Sequence, residues 1–383
     1  MRSDGLKGAS VLHVSQPSDG GVAAVVRGLA SYQAGLGLRV AVACDPAGDL
    51  GLALAGAGVE VRPWRAVRSP VAGMGREAVA LGHVVADFRP DVVHLHAAKA
   101  GLAGRLAVRG RVRTVFEPHG WSWWAVEGPA AFAAKAWERA ALCWTHQVVC
   151  LSREEALALP PCWDRLAMAR NGVDLDHWSP RPQAAARRRL GLPPDAVLLV
   201  CVARLCRQKG QDLLVEAFSR LVGDGLAASL ALVGDGPLLG QTRRLAGRLP
   251  VVFPGAVEDP RDWYAAADVV VLPSRWEAAA LAALEAAAMG RPVVATAVGD
   301  VKECPALGAR PAPGDPAALA EALGALLANP AARSQAAAEG RRWALDRHAD
   351  AWAHARLTEI AIGQAGMTPV LADGGPGAVA SWP

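Results

Sequence analysis

Short runs rich in β-branched residues alternate with helical stretches along nearly the whole chain, and that alternation leaves little choice of architecture. In the first half the runs are VLHVS from Val11, VAVACD from Val40, VEVRPW from Val59, DVVHLH from Asp91, TVFEPHG from Thr114 and QVVCLS from Gln147. Helical stretches lie between them, among them Gly21–Leu36 and Lys99–Val108. After Asn171 the pattern breaks at GVDLDHWSPRPQ, a polar stretch with two prolines, and then restarts with VLLVCVAR, SLALVGDG, VVFPG, VVVLPS and PVVATAVG. Strands separated by helices pair in parallel, because the crossover helix carries the chain back to the same sheet end. The reading is α/β, two Rossmann-like doubly wound domains facing across a cleft, and 383 residues suffice to give each a substantial core.

Residues 273–289, PSRWEAAALAALEAAAM, carry most of the chemistry. Glu277 sits in the loop after the strand VVVLPS, and Glu285 is expected about two turns into the following helix. A helix starting at the end of a parallel strand offers free N–H groups and the positive end of its dipole to a phosphate. Carboxylates beside it accept hydrogen bonds from sugar hydroxyls, although two glutamates that merely cap and solubilise a helix would read the same. Upstream, LVCVARLCRQKGQDLLVEAF places Arg204 and Lys209 in a polar loop between strand and helix. That is where open α/β sheets bind anions, and two cations there neutralise a leaving diphosphate without a metal. Both loops lie at the same end of one predicted sheet, so one shared site is expected.

Together these residues resemble the retaining family-4 glycosyltransferases of the GT-B fold, which carry a GRL–x–x–x–KG stretch and a Glu–x–x–Gly–Leu–x–x–x–Glu motif. Gly20-Gly21, Pro118-His119-Gly120, Asn171-Gly172-Val173-Asp174 and Val233-Gly234-Asp235-Gly236-Pro237 fall where that family has similar stretches. The resemblance implies that His119, Arg204, Lys209 and Glu277 act on the transferred sugar and leaving group. It also implies that Gly20, Gly21, Lys99, Asn171, Gly234, Ala280, Leu281 and Glu285 bind substrate, with Glu285 on the ribose and Glu277 on a donor-sugar hydroxyl. No resident cofactor or metal is expected; a nucleotide-diphosphate sugar, UDP- or GDP-linked, is the donor. One position departs from the motif. Ala280 stands where the family has glycine, and it is expected to donate its N–H to phosphate from the helix start.

Other residues leave alternatives open. The sequence allows His119, at a strand end, to point into the cleft. His94 and His96 share one strand face without a third metal ligand at sensible spacing, which favours a structural or acceptor-side role. Lys99 reads as a cleft-edge residue or as a solvated lysine. Trp121, Trp123 and Trp124 line an acceptor site, touch lipid or pack into the first domain.

Domain bounds of 1–175 and 176–345 follow from the break after Asn171. Ala349–Ile362 reads as an amphipathic helix, and the resemblance implies that residues 346–363 cross back onto the first domain. The Gly- and Pro-rich residues 364–383 read as disordered. No run of about 18 apolar residues suggests a membrane span, and the first fifteen residues make a poor secretory signal. Seven cysteines without metal spacing suit reduced thiols, so a cytoplasmic location is expected, with peripheral contact at the inner membrane face. Residues 1–175 hold 19 basic and 15 acidic side chains, and the rest are balanced. That surplus of four is compatible with an anionic acceptor or membrane surface and too small for nucleic-acid binding. The expected function is hexosyl transfer in cell-surface polysaccharide or lipid-linked saccharide assembly, to a saccharide, lipid-linked or small-molecule acceptor. A natural-product glycosyltransferase, a sugar-nucleotide epimerase and a non-catalytic nucleotide-sugar binder are the competing readings. An oxidoreductase is disfavoured, since no GxGxxG follows the first strand.

Overall fold

The computed structural model describes residues 8–69, 73–160, 163–303, 309–347 and 349–363. The first sheet has seven parallel strands: β1 (Ser10–Ser15), β2 (Arg39–Cys44), β3 (Glu60–Pro63), β4 (Val92–His96), β5 (Arg113–Glu117), β6 (Gln147–Cys150) and β7 (Leu166–Met168). Their order is β3-β2-β1-β4-β5-β6-β7. The second sheet has five: β8 (Val197–Val202), β9 (Ala228–Val233), β10 (Val251–Gly255), β11 (Val269–Leu272) and β12 (Val293–Ala295), in the order β10-β9-β8-β11-β12. Each order reverses beside the first strand of its sheet, which opens a crevice at the carboxyl ends there. Every run read as a strand is one. Only β7 was missed, because its three residues LAM carry no β-branched signal.

Helices cover both faces, so the central strands are buried throughout; all six residues of β1 are buried. Each sheet thus has two apolar layers. In the first domain one layer runs through Val11, Val26, Leu29, Val42 and Val149, and the other through Leu12, Phe88, Leu95, Phe116 and Trp121. In the second, Val200, Tyr264, Val270 and Leu284 face Leu199, Phe218, Leu232 and Val271 across the sheet.

The last described helix, Asp350–Ala361, packs against helix Gly20–Gly35. Its Leu357, Ile360 and Ala361 join the first domain's apolar layer. Arg113 on β5 fixes the helix end, donating from Nε to the Ala361 carbonyl at 2.8 Å and from Nη2 to that of Ile360 at 3.1 Å. A guanidinium on the last carbonyls of a helix satisfies groups that have no partner within it. The 364–383 tail lies outside the described residues. No described helix is long and apolar enough to cross a membrane.

Candidate active site

The carboxyl edge of the second sheet is built by two loops that glycine lets touch. Gly210 has φ +66°, and a Cβ there would lie 2.1 Å from the Pro273 carbonyl oxygen. Only glycine allows this approach, and it draws the loop after β8 onto the loop after β11. Side chains then stitch the two together. Arg275 donates its N–H to the Gln208 carbonyl at 2.7 Å and pairs with Asp212 through both terminal nitrogens, while Gln208 Nε2 reaches the Trp276 carbonyl at 3.2 Å. Gly234 and Gly236 serve the same end on the other side. Cβ atoms there would lie 2.1 Å and 2.3 Å from the carbonyl oxygens of Ala203 and Leu205, so they let the loop after β9 close against Arg204.

Lys209 thereby reaches Glu277, and the two form an ion pair. Glu277 is buried; Ser274 Oγ donates to it at 2.8 Å and Gln208 Nε2 at 3.3 Å. Burial by itself pulls the Lys209 pKa down, but Glu277 outweighs it and the net shift is upward, so the ammonium stays charged. Arg204 is half-buried, and its guanidinium has no ion pair or hydrogen bond among the described residues.

Helix Leu281–Ala288 begins beside them, and Glu285 is its fifth residue, just over one turn in rather than two. The Glu285 carboxylate accepts from the Tyr264 hydroxyl at 2.8 Å. Burial pushes its pKa up to about 7, against the pull of that hydroxyl and of Lys209. The expectation for Ala280 is corrected. Its N–H donates to Asp300 Oδ1 at 3.2 Å, and the residue is the cap of the helix, in extended conformation. Asp300 holds the N–H that Ala280 was expected to offer to phosphate. The N–H groups of Leu281 and Ala282 follow at the first two helical positions, where no intrahelical acceptor exists.

The first domain meets this edge through Gly21. A Cβ there would lie 3.4 Å from Leu281 Cδ1, so the turn after β1 packs on the start of helix Leu281–Ala288. Gly20 beside it has φ +71° and open space around it. Glu154 adds a bridge that sequence reading missed, accepting from the Gly299 N–H at 3.0 Å and from Lys302 Nζ at 2.9 Å. Asn171 is buried between the domains' sequences, ahead of the linker.

Lys99 of the first domain is placed differently from expectation, and three histidines gain partners. Lys99 is neither solvated nor open to the cleft: it is buried, pairs with Glu77 at 2.6 Å and donates to the Ser69 carbonyl at 2.7 Å. His119, beyond the end of β5, has φ +52° and a side chain 5% exposed, 3.2 Å from His96 Nδ1. His94 and His96 do gain partners that spacing hid, since the strand order sets β1, β4 and β5 side by side. His13, Glu117 and His119 join them in a buried cluster. Of the tryptophans, Trp121 is core, donating from Nε1 to the Glu155 carbonyl at 2.9 Å, and Trp123 stacks on it at 4.6 Å between ring centres. Glu155, also missed, holds this turn by accepting from the N–H groups of Gly120 (2.6 Å) and Leu151 (2.8 Å). Burial raises its pKa to about 7 despite those two bonds.

Comparison with known proteins agrees with this geometry. Residues 196–329 match the family described as glycosyl transferases group 1, and residues 20–161 match the glycosyl transferase 4-like domain. A D-inositol 3-phosphate glycosyltransferase of Catenulispora acidiphila is 35% identical over 71% of this chain and 75% of its own length. A GDP-mannose-dependent alpha-(1-6)-phosphatidylinositol monomannoside mannosyltransferase of Mycolicibacterium smegmatis is 36% identical over 50% of this chain and 55% of its own. Among solved structures, Anabaena HepE in complex with UDP and glucose superposes with a TM-score of 0.77 at 20% identity, covering 91% of this chain and 98% of that one. Sucrose-phosphate synthase from Thermosynechococcus elongatus gives 0.78 at 23% identity, covering 92% and 98%. The fold is GT-B, and the chain belongs to the group 1, family-4 type of glycosyltransferases.

Proposed function

We propose that this glycosyltransferase moves a hexosyl group, with retention of configuration, from a UDP- or GDP-linked sugar to a saccharide or lipid-linked acceptor. The observation that carries the donor half is the stitched pair of loops: Arg204 has no ion pair or side-chain hydrogen bond among the described residues, and charged Lys209 pairs with Glu277 in the loop leading into helix Leu281–Ala288. Two cations and a helix start match a diphosphate. Glu285 is assigned to the ribose hydroxyls and Glu277 to the donor sugar, with Lys209 exchanging part of its contact with Glu277 for phosphate. His119, beyond the carboxyl end of β5, is assigned to the transferred sugar.

The acceptor half is supported by relatives whose names specify an inositol phosphate and a phosphatidylinositol mannoside. Peripheral association with a membrane face belongs to the same proposal. Phe132, 78% exposed, stands among exposed Lys135 and Arg139 on helix Gly128–Ala141. Sedimentation with anionic vesicles is expected to carry down the wild type and not Phe132→Ser.

The deciding experiment incubates the purified chain with UDP- and GDP-sugars and with inositol phosphates or glycolipid acceptors. Acceptor-dependent release of UDP or GDP is expected, with the product's anomeric configuration read by NMR. Release equally fast without acceptor, or none with any pair, would sink the transfer proposed here.

Glu285 gives the proposal a pH signature. A carboxylate accepts from two ribose hydroxyls, whereas the protonated acid must spend its proton as a donor. With its pKa raised to about 7, Glu285 is mostly protonated at slightly acid pH, so nucleoside diphosphate binding should tighten as pH rises. From the ionised fraction alone, affinity should rise about tenfold between about pH 6 and about pH 8. The sign for the unliganded fold is opposite: a carboxyl with a raised folded pKa contributes stability at low pH that is lost as pH rises through about 7. Calorimetry with UDP and GDP should show the slope in wild type and not in Glu285→Gln. A slope of the same size in both would detach Glu285 from the ribose.

A further inference from the structure

We propose that Glu154 of the first domain is a positioning residue for the donor sugar. It holds the turn Gly299–Glu303, and that turn braces the loop between Glu277 and helix Leu281–Ala288. This rests on the donor reading above, in which Glu277 serves the sugar and Glu285 the ribose. Glu154 acts on that site only through the backbone of the second domain.

The turn after β12 is pressed on the loop and bonded to it. Gly299 has φ +54°, and a Cβ there would lie 2.5 Å from the carbonyl oxygens of both Glu277 and Ala278. A larger residue would force the turn off the loop. Next along, the Asp300 N–H donates to the Ala278 carbonyl at 3.0 Å, and Asp300 Oδ1 accepts from the Ala280 N–H at 3.2 Å. One residue of the turn thus fixes the backbone on both sides of Ala279. Glu277, Ala278, Ala280 and Asp300 are all buried, so a polar group that loses its partner there costs its full desolvation. The Glu277 side chain springs from this braced backbone.

The hold on the turn comes from the other domain. Helix Arg153–Leu157 follows β6 and is capped by Ser152 Oγ, which accepts from the Glu155 N–H at 3.3 Å, so Glu154 stands in a fixed first turn. Its Oε2 accepts from the Gly299 N–H at 3.0 Å and from Lys302 Nζ at 2.9 Å. The Lys302 pair is exposed on both sides and contributes little by itself. The bond to Gly299 is different: it is part-buried and charge-assisted, and it grips the very residue that presses on Glu277 and Ala278. Parting the two domains at this edge would break it. Glu154 therefore couples the placement of the first domain to the shape of the sugar-binding loop. A second carboxylate, Glu127, pairs with Arg207 across the same two domains, but both side chains are exposed, and it serves as the control.

The test is calorimetry on the full chain with UDP and UDP-glucose and with GDP and GDP-mannose, using the pair that the wild type binds. Glu154→Ala is expected to weaken nucleotide-sugar binding about tenfold and nucleoside diphosphate binding less than about threefold, because the braced loop carries the sugar's carboxylate and not the ribose's. A general loss of structure would not divide the two ligands in this way. Glu154→Gln keeps an oxygen that accepts from the Gly299 N–H and should restore nucleotide-sugar binding to within about threefold of wild type. Lys302→Ala and Glu127→Ala remove exposed ion pairs and should stay within about twofold for both ligands. Equal losses for both ligands in Glu154→Ala, no loss at all, or a Lys302→Ala variant that matches it would overturn the proposal while leaving the donor site standing. A folded wild type that binds neither nucleotide sugar sinks the donor site itself, and the role of Glu154 with it.

Discussion

Arg204→Ala and Lys209→Ala are each expected to lower kcat about 100-fold or more, measured as nucleoside diphosphate release from a saturating donor. Charge accumulates on the departing diphosphate as the glycosidic bond breaks, and a preorganised cation there acts most strongly in the transition state. The two variants differ in what else they disturb. Arg204 has no protein partner among the described residues, so its removal breaks nothing in the unliganded fold. Lys209→Ala strips buried Glu277 of its counter-charge, leaving only Ser274 and Gln208 to serve it. A loss of stability is therefore expected for Lys209→Ala and not for Arg204→Ala, and circular dichroism melts separate that from the catalytic loss. Turnover within threefold of wild type in folded Arg204→Ala would remove this residue from the leaving-group site.

Gly210→Ala is the second large effect. Left-handed backbone costs alanine about 1–2 kcal/mol, and forcing an atom into a closed space adds about 1–3 kcal/mol. Here the new methyl would lie 2.1 Å from the Pro273 carbonyl oxygen, which is backbone and cannot swing aside. A loss of roughly 2–5 kcal/mol in denaturant melts is expected, with donor binding lost as the two loops part. Gly20→Ala is the matched control. Its φ is +71°, yet nothing lies within 4 Å of the added Cβ, so only the backbone cost remains. Equal losses at the two positions would mean that the contact between the loops does not hold the site together.

The strands were legible because parallel strands covered on both faces read as Val- and Leu-rich runs, as VVVL at β11 does. The residue types at the donor edge were legible too, since Arg204, Lys209, Glu277 and Glu285 all follow strands of one sheet. What they do to one another was not. Lys209 and Glu277 are 68 positions apart, and the glycine at 210 lets their loops come into contact. Asp300 takes the N–H of Ala280 from twenty positions downstream, from a loop that no motif marked. The histidine cluster was hidden by topology. His13 lies within β1, His96 ends β4 and His119 follows β5, strands that become neighbours only through crossovers that spacing does not encode.

The helix Asp350–Ala361 bears on how a ribosome delivers this molecule. The strands of the first sheet are complete once Met168 has been made, yet the apolar layer beneath them still waits for Leu357, Ile360 and Ala361. Roughly 190 further residues must be translated first, about 10–40 s at ordinary elongation rates. During that interval the face of helix Gly20–Gly35 that will receive the late helix is uncovered in the nascent chain. The second domain, whose sheet runs from Val197 to Ala295, has all its strands before that helix emerges. In the order of synthesis the amino-terminal unit starts first and finishes last, and a chaperone that shields apolar surface would find its target there.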